Sequence, residues 1–192
     1  MKIISYLAIL SLLNFWGVAM AIEEPSYQVL KEAREYEIRQ YGPMIVAQTM
    51  VNGDFEESGN RAFRVLADFI FGNNSSGTKV AMTAPVNMHP EKNGFMVQFT
   101  MPKEFNLETL PKPNNNSVEI LPIPQKKVAV FTYSGSWSES RYNEKLNAFK
   151  DALARDGVAT IGEPSFARFN SPFQLWFLRR NEIWIEIDPA KK

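Results

Sequence analysis

The chain carries few side chains of the kinds that perform chemistry. Among its 192 residues there is one histidine, His89, and no cysteine. Disulfides, thiolate nucleophiles, iron–sulfur clusters and cysteine zinc sites are therefore excluded, and a histidine-dependent triad has one candidate base. The sequence also lacks a P-loop, a Gly-x-Gly-x-x-Gly fingerprint, a Gly-x-Ser-x-Gly elbow and a His-Glu-x-x-His motif. We find no catalytic set and expect a binding protein rather than an enzyme.

The candidate metal ligands are His89 and two methionines, Met82 and Met88. Apolar and other residues alternate from Val80 to Met88, which predicts a strand. If the alternation continues, His89 and Met88 point to opposite faces, so one strand cannot offer both to the same iron. We favour a solvent-facing histidine at a strand end and methionines in the core, with iron ligation by His89 as the alternative.

The helix predicted for residues 55–71 is the strongest candidate for a binding surface. Its apolar residues cover a wider arc than packing on one sheet face requires. Either protein covers both flanks of this helix, or part of the arc, with Phe63 and Ala67, forms the wall of an apolar pocket. In the second case Arg61 or Arg64 can meet the carboxylates of a ligand at the rim, because guanidinium groups pair well with carboxylates.

A second apolar segment, residues 173–178, precedes Arg179 and Arg180. Its bulky side chains show neither strand alternation nor helical spacing. A fully buried strand and a loop over a cleft both fit this pattern, and we keep both. The two arginines either pair with local acids or bind an anion.

The chain repeats itself at an offset of 82 residues. This shift aligns residues 53–58 (GDFEES) with residues 135–140 (GSWSES). Each segment looks like a helix start, with Asp54 or Ser136 as the capping residue and a glutamate three positions later. We therefore predict two pseudo-repeats, at about residues 27–102 and 118–188, joined by a connector rich in proline and asparagine.

Each half is expected to run strand, strand, helix, strand, strand. The eight predicted strands are residues 36–41, 44–51, 80–88, 95–101, 118–122, 126–133, 165–169 and 182–187. Helical spacing of Tyr142, Leu146, Phe149 and Leu153 predicts the second helix. The expected fold is α+β, with duplicated ββαββ halves that close into one antiparallel sheet or barrel and two helices packed outside.

The first 21 residues have the features of a cleaved signal peptide. Lys2 is followed by an apolar run that ends in Ala19-Met20-Ala21. Cleavage would leave residues 22–192 as one exported domain, periplasmic or secreted, with no stable membrane insertion; a retained anchor is the alternative. The whole chain has 21 Lys and Arg against 21 Asp and Glu, so its charge gives no reason to expect a nucleic acid partner.

Three motifs carry a resemblance to a known family. They are residues 36–43 (YEIRQYGP), 79–86 (KVAMTAPV) and 179–184 (RRNEIW). In this order they resemble the SOUL haem-binding protein family, and the likeness covers about residues 27–188. The resemblance implies a distorted eight-stranded barrel with two helices, and haem or free porphyrin bound in a shallow apolar groove beside the first helix.

The resemblance also implies site residues. In one branch of the family a histidine proposed as axial ligand follows Tyr-Glu-Ile-Arg, and this chain has Gln40 there, which does not serve as a normal haem ligand. In the other branch no histidine is required, and alignment at Gly72 places Asn60, Phe63 and Asp68 at its contact positions. We therefore expect haem or another tetrapyrrole to bind without an obligatory histidine ligand.

Two rival functions remain open at this point. The first is an enzyme acting on a small apolar ester or a tetrapyrrole derivative, which requires an acid or base facing the cleft, such as Glu37, Glu119 or Tyr133. The second is a protein-interaction module that uses residues 173–178 as an exposed apolar surface.

Overall fold

The structure is a computed structural model and describes residues 22–189; the predicted signal peptide lies outside them. The strands are β1 Tyr27–Glu32, β2 Glu37–Tyr41, β3 Met44–Asn52, β4 Val86–Glu91, β5 Gly94–Thr100, β6 Glu119–Ile123, β7 Lys126–Tyr133, β8 Thr160–Arg168 and β9 Asn181–Ile187. The helices are α1 Phe55–Ile70 and α2 Glu139–Arg155, and one 3-10 turn covers Trp176–Leu178. Within the described residues, neither helix is long and apolar enough to cross a membrane.

All nine strands belong to one antiparallel sheet in the order β1-β2-β7-β9-β8-β4-β5-β3-β6. The predicted α+β fold with two helices is confirmed, but the prediction of eight strands is wrong. The additional strand is β1, which pairs with β2 so that Tyr27 lies opposite Tyr41. All six residues of β1 are exposed, so its sequence has no buried face to reveal it.

The two faces of the sheet carry different cores. Both helices pack on one face, in a cluster that includes Leu66 of α1 and Phe149 of α2. A smaller cluster on the opposite face includes Trp184. On that second face the positive charge of Lys126 on β7 lowers the pKa of His89 on β4, so the two side chains lie near each other although β8 and β9 separate their strands. The sheet therefore curls around the smaller cluster, with the helices on its outer side.

The two predicted helix caps had different outcomes. Asp54 caps α1 and accepts hydrogen bonds from the backbone N–H of Glu56 and Glu57, at 3.0 and 2.8 Å. Ser136 is not a cap, because α2 starts later, with Ser138 as its N-cap residue and no side-chain cap bond. The intervening Trp137 donates its indole N–H to β9, which holds this segment against the sheet instead of in a helical turn.

The strand predicted for residues 80–88 starts only at Val86. The backbone N–H of Val80 donates to Ile70 at the end of α1, and that of Ala84 donates to Glu23, both at 2.8 Å. Pro85 has no N–H to give to a strand ladder. These residues therefore leave the sheet and run along one flank of α1.

Candidate functional site

A groove of about 480 Å³ lies beside α1. One wall is α1 itself. The other walls are the segment before β4 and residues 168–173, which start at the last residue of β8 and lie next to Trp137. Most of the lining side chains are apolar, and the groove opens to solvent. The segment of residues 80–85 thus forms a wall here because it does not continue the sheet.

The apolar arc of α1 divides between the core and this groove. Leu66, Phe69 and Ile70 are buried against the sheet, whereas Phe63 is half-buried. The ring of Phe63 packs on that of Phe99 with centroids 5.5 Å apart, and its remaining surface lines the groove. The wide apolar arc of α1 therefore forms part of a pocket wall, which was one of the two interpretations of the sequence.

Three of the six predicted ligand-binding residues line the groove: Asn60, Phe63 and Arg64. Arg61 lies outside it and donates a hydrogen bond to the carbonyl oxygen of Asn52 at 3.1 Å. Ala67 is buried beneath the surface, and the exposed Asp68 accepts a hydrogen bond from Asn73. The structure therefore brings together half of the predicted set, and ligand binding by these residues stays a prediction.

Arg168, at the end of β8, is a groove residue that sequence reasoning missed. It is 9% exposed, and its guanidinium forms no hydrogen bond or ion pair with any described residue. Its Cζ lies 4.9 Å from the ring centroid of Trp137 and 5.2 Å from that of Phe166. Burial is the main cause that lowers the pKa of Arg168 to about 10. The available sequence signal was a charged residue placed between two apolar residues, Ala167 and Phe169, both of which are buried.

Comparison with known proteins identifies the family. The model of the family described as SOUL heme-binding protein matches residues 22–186. The chain belongs to this family. The resemblance carried by the three motifs is thereby confirmed for this SOUL domain.

The relatives of this SOUL domain include Heme-binding protein 2 of Homo sapiens, 28% identical over 191 residues that cover 92% of each chain. Heme-binding protein 2 of Mus musculus is 28% identical over 179 residues, 86% of each chain. Among solved structures, the EcmrR C-terminal domain matches with a TM-score of 0.62, 13% identity and coverage of 84% of this chain and 98% of that one. A hydrolase from Listeria innocua matches with a TM-score of 0.57, 10% identity and coverage of 83% and 94%. These two structural matches show a shared fold.

The apolar loop of the SOUL domain, residues 173–178, is exposed beside the groove. Phe173 is 94% exposed, and Leu175, Trp176, Phe177 and Leu178 are each more than half exposed. The buried-strand interpretation of this segment is therefore wrong. The guanidinium of Arg179 donates to two carbonyl groups of residues 172–174, which ties the ends of the loop together. A role of this loop in protein interaction stays a prediction.

The prediction that His89 faces solvent is wrong. This histidine is half-buried on the concave face of the sheet, and its Nε2 lies 3.0 Å from Oε1 of Gln98. Burial, followed by the positive charge of Lys126, lowers the pKa of His89 to about 4, against an opposing contribution from Gln98. Met88 is buried in the core on the other face, as the alternation predicted. His89 does not line the groove.

Gln40, at the family's proposed histidine position, also lies away from the groove. It is half-buried, and its side-chain amide donates to the carbonyl oxygen of Tyr41 at 3.2 Å. It lines a second cavity of about 520 Å³, which lies between the two edges of the curled sheet, one formed by β1 and β2 and the other by β3 and β6. Position 40 and the groove beside α1 are thus separate places in this fold.

The three residues considered for catalysis do not converge. Glu37 forms an ion pair with Arg39 at 2.6 Å, and Glu119 accepts a hydrogen bond from Gln48 at 3.2 Å. Tyr133 is buried in the helix-side core, and this burial raises its pKa. None of the three belongs to the described lining of the groove. Residues 22–189 contain no cluster of three or more His, Asp or Glu side chains that could hold a metal ion.

Proposed function

We propose that this SOUL domain binds haem or another flat tetrapyrrole in the groove beside α1, without an obligatory histidine ligand. The observation that carries the proposal is the apolar groove that the half-buried Phe63 shares with Met82 and Phe173. Family membership and two relatives named Heme-binding protein 2 support the same ligand class.

The residues of the groove fit such a ligand. Apolar side chains stand on both walls, so a planar macrocycle can bury its faces at about 25 cal/mol per Å². A micromolar dissociation constant corresponds to about 8 kcal/mol, which this burial can supply after the costs of association. The exposed Arg64 at the rim offers a cation to a ligand carboxylate. When bound, haem would supply redox-active iron, and this chain's residues would supply apolar contact and charge.

Titration of residues 22–192 with haemin and with iron-free protoporphyrin IX tests the proposal. We expect both to bind at micromolar concentration and to quench tryptophan fluorescence, because Trp137 lines the groove. Similar affinities for the two ligands are expected because His89 and Gln40 lie elsewhere. The absence of a Soret shift and of quenching at tens of micromolar, the range of weak binding, would reject the proposal.

We also propose that the domain is exported after removal of residues 1–21. The support comes from the sequence, in which an apolar run ends at Ala19-Met20-Ala21. The intact mass of the protein recovered from its native compartment tests this proposal. A chain that begins at Ile22 is expected, and a chain that retains Met1 would contradict it.

The duplication of the ββαββ halves is a further part of the proposal. The strand order supports it: exchange of β2 with β6, β3 with β7, β4 with β8 and β5 with β9 leaves the order of these eight strands unchanged apart from its direction. Strand β1 lies outside this pattern. A crystal structure of the domain tests the duplication: superposition of its two halves should place α1 on α2.

A further inference from the structure

Arg168 lies where the groove meets a smaller polar cavity. This cavity has a volume of about 290 Å³ and is lined by Glu56, Ser136 and Ser138 together with three residues of the groove, Asn60, Trp137 and Arg168. The guanidinium lies between the two cavities and is buried, so it borders the inner end of the groove, whereas the exposed Arg64 lies at its outer rim.

The burial of Arg168 is not compensated by an ion pair or a hydrogen bond within the described residues, and its guanidinium packs instead against aromatic rings. Arg39, the other buried arginine of the described residues, forms ion pairs with Glu37 and Glu182. By contrast, Nε of Arg168 has no hydrogen-bond partner. Its electrostatic neighbours are Tyr133, the cation Arg179 and the acid Glu56, and Glu56 forms no ion pair with it. A buried cation without a paired anion is costly, so a fold that retains one usually has a use for it.

Gly59 makes room for this guanidinium on the surface of α1. A Cβ atom added at position 59 would lie 2.7 Å from Nη1 of Arg168, closer than such atoms approach, and 3.1 Å from Nη2, so the guanidinium would have to shift. Glycine is a poor residue for a helix interior, yet this one lies within α1. Gly59 also lines the groove, so the guanidinium and the groove share this wall.

We propose that Arg168 binds a carboxylate of the ligand at the inner end of the groove. The ligand class is then a planar apolar acid, whose flat body lies along Phe63 and whose carboxylate pairs with the guanidinium in a bidentate manner. Glu56 repels the acid from the smaller cavity beyond, so the carboxylate stops at Arg168. This inference rests on the proposed function and names the ligand chemistry of the same site.

Protoporphyrin IX and its dimethyl ester test the inference, because they differ in charge and share the macrocycle. We expect the unaltered domain to bind the diacid about 10- to 100-fold more tightly than the ester, the range for a hydrogen bond to a charged group. Arg168→Gln should lose most of this preference. The matched control Arg155→Gln, on α2 and paired with Glu35, should keep the full preference. Thermal unfolding of each variant verifies that it is folded, and the ester comparison on the unaltered chain needs no variant.

The outcomes separate this inference from the proposed function. Equal binding of diacid and ester by the unaltered domain overturns the role of Arg168 and leaves tetrapyrrole binding in place. Loss of the preference in Arg64→Gln but not in Arg168→Gln places the acid at the rim and also overturns the inference. Failure of both porphyrins to bind rejects the proposed function, and the inference falls with it.

Discussion

Arg39 and Glu182 form a buried ion pair on the concave face, with Nη1 of the arginine 3.1 Å from both carboxylate oxygens. Glu182 also accepts hydrogen bonds from Arg180 at 3.0 Å and from the indole N–H of Trp184 at 2.7 Å. The pair connects β2 with β9 across β7. Two of the motifs that carry the family resemblance therefore meet in this network, away from the groove, and their contribution is to hold the curled sheet together.

Glu182→Gln is expected to lower the free energy of unfolding by about 3 kcal/mol, because it leaves the buried guanidinium of Arg39 with the half-buried Glu37 as its remaining counterion. Urea unfolding followed by circular dichroism measures the loss. Glu35→Gln is the control, since it breaks only an exposed pair with Arg155 and should change stability little. An equal loss of unfolding free energy in the two variants would contradict a larger contribution of the buried pair to stability.

Arg168→Met is expected to stabilise the ligand-free domain by about 1 kcal/mol, because an apolar side chain of similar length replaces an unpaired buried cation. The same substitution should weaken the binding of acidic porphyrins. Thermal unfolding with and without ligand measures both effects. A drop in the stability of the ligand-free variant would indicate that the contacts of Arg168 with the surrounding rings outweigh the cost of its burial.

The pKa of His89, lowered from 6.5 to about 4, predicts a loss of stability in acid. The folded state holds this side chain neutral, since burial and Lys126 disfavour its protonated form. Its contribution is therefore fully present above about pH 6.5 and is lost as the pH falls through 4. In urea unfolding at pH 7, 5.5 and 4.5, His89→Gln should show a flatter decline than the unaltered domain. Identical slopes would mean that another group causes the acid sensitivity.

Phe63→Ala is expected to weaken porphyrin binding about tenfold, because it removes part of the apolar wall from contact with the ligand. Phe71→Ala is the matched control: Phe71 follows α1 directly, is 59% exposed and does not line the groove. Fluorescence titration compares the two variants. Equal weakening by both would contradict the position of the ligand.

Sequence patterns predicted the parts of the fold that local chemistry determines. The bounds of α1 follow from the cap at Asp54 and the glycine at position 72, whose φ of 117° favours glycine. Alternation located β5 because one of its faces meets the helix-side core. Alternation also misled, since residues 80–85 have the same pattern but pair only through an isolated bridge between Thr83 and Glu23.

The inner part of the site depends on contacts that local patterns do not record. In the sequence, Arg168 looks like any arginine at the end of a strand. Only the complete fold shows that its guanidinium has no ion-pair partner among the described residues. The apolar loop of residues 173–178 has the composition of a buried strand. It stays outside the sheet because β9, the next strand, already has β7 and β8 on its two edges.

The most direct test of the central claim is the map of amide chemical-shift changes when iron-free protoporphyrin IX is added to the isotope-labelled domain. We predict that the changes concentrate around Phe63, Met82 and Phe173, with no comparable change around Gln40 in the second cavity. Changes centred on Gln40, or none at saturating porphyrin, would contradict the claim that the groove beside α1 is the binding site.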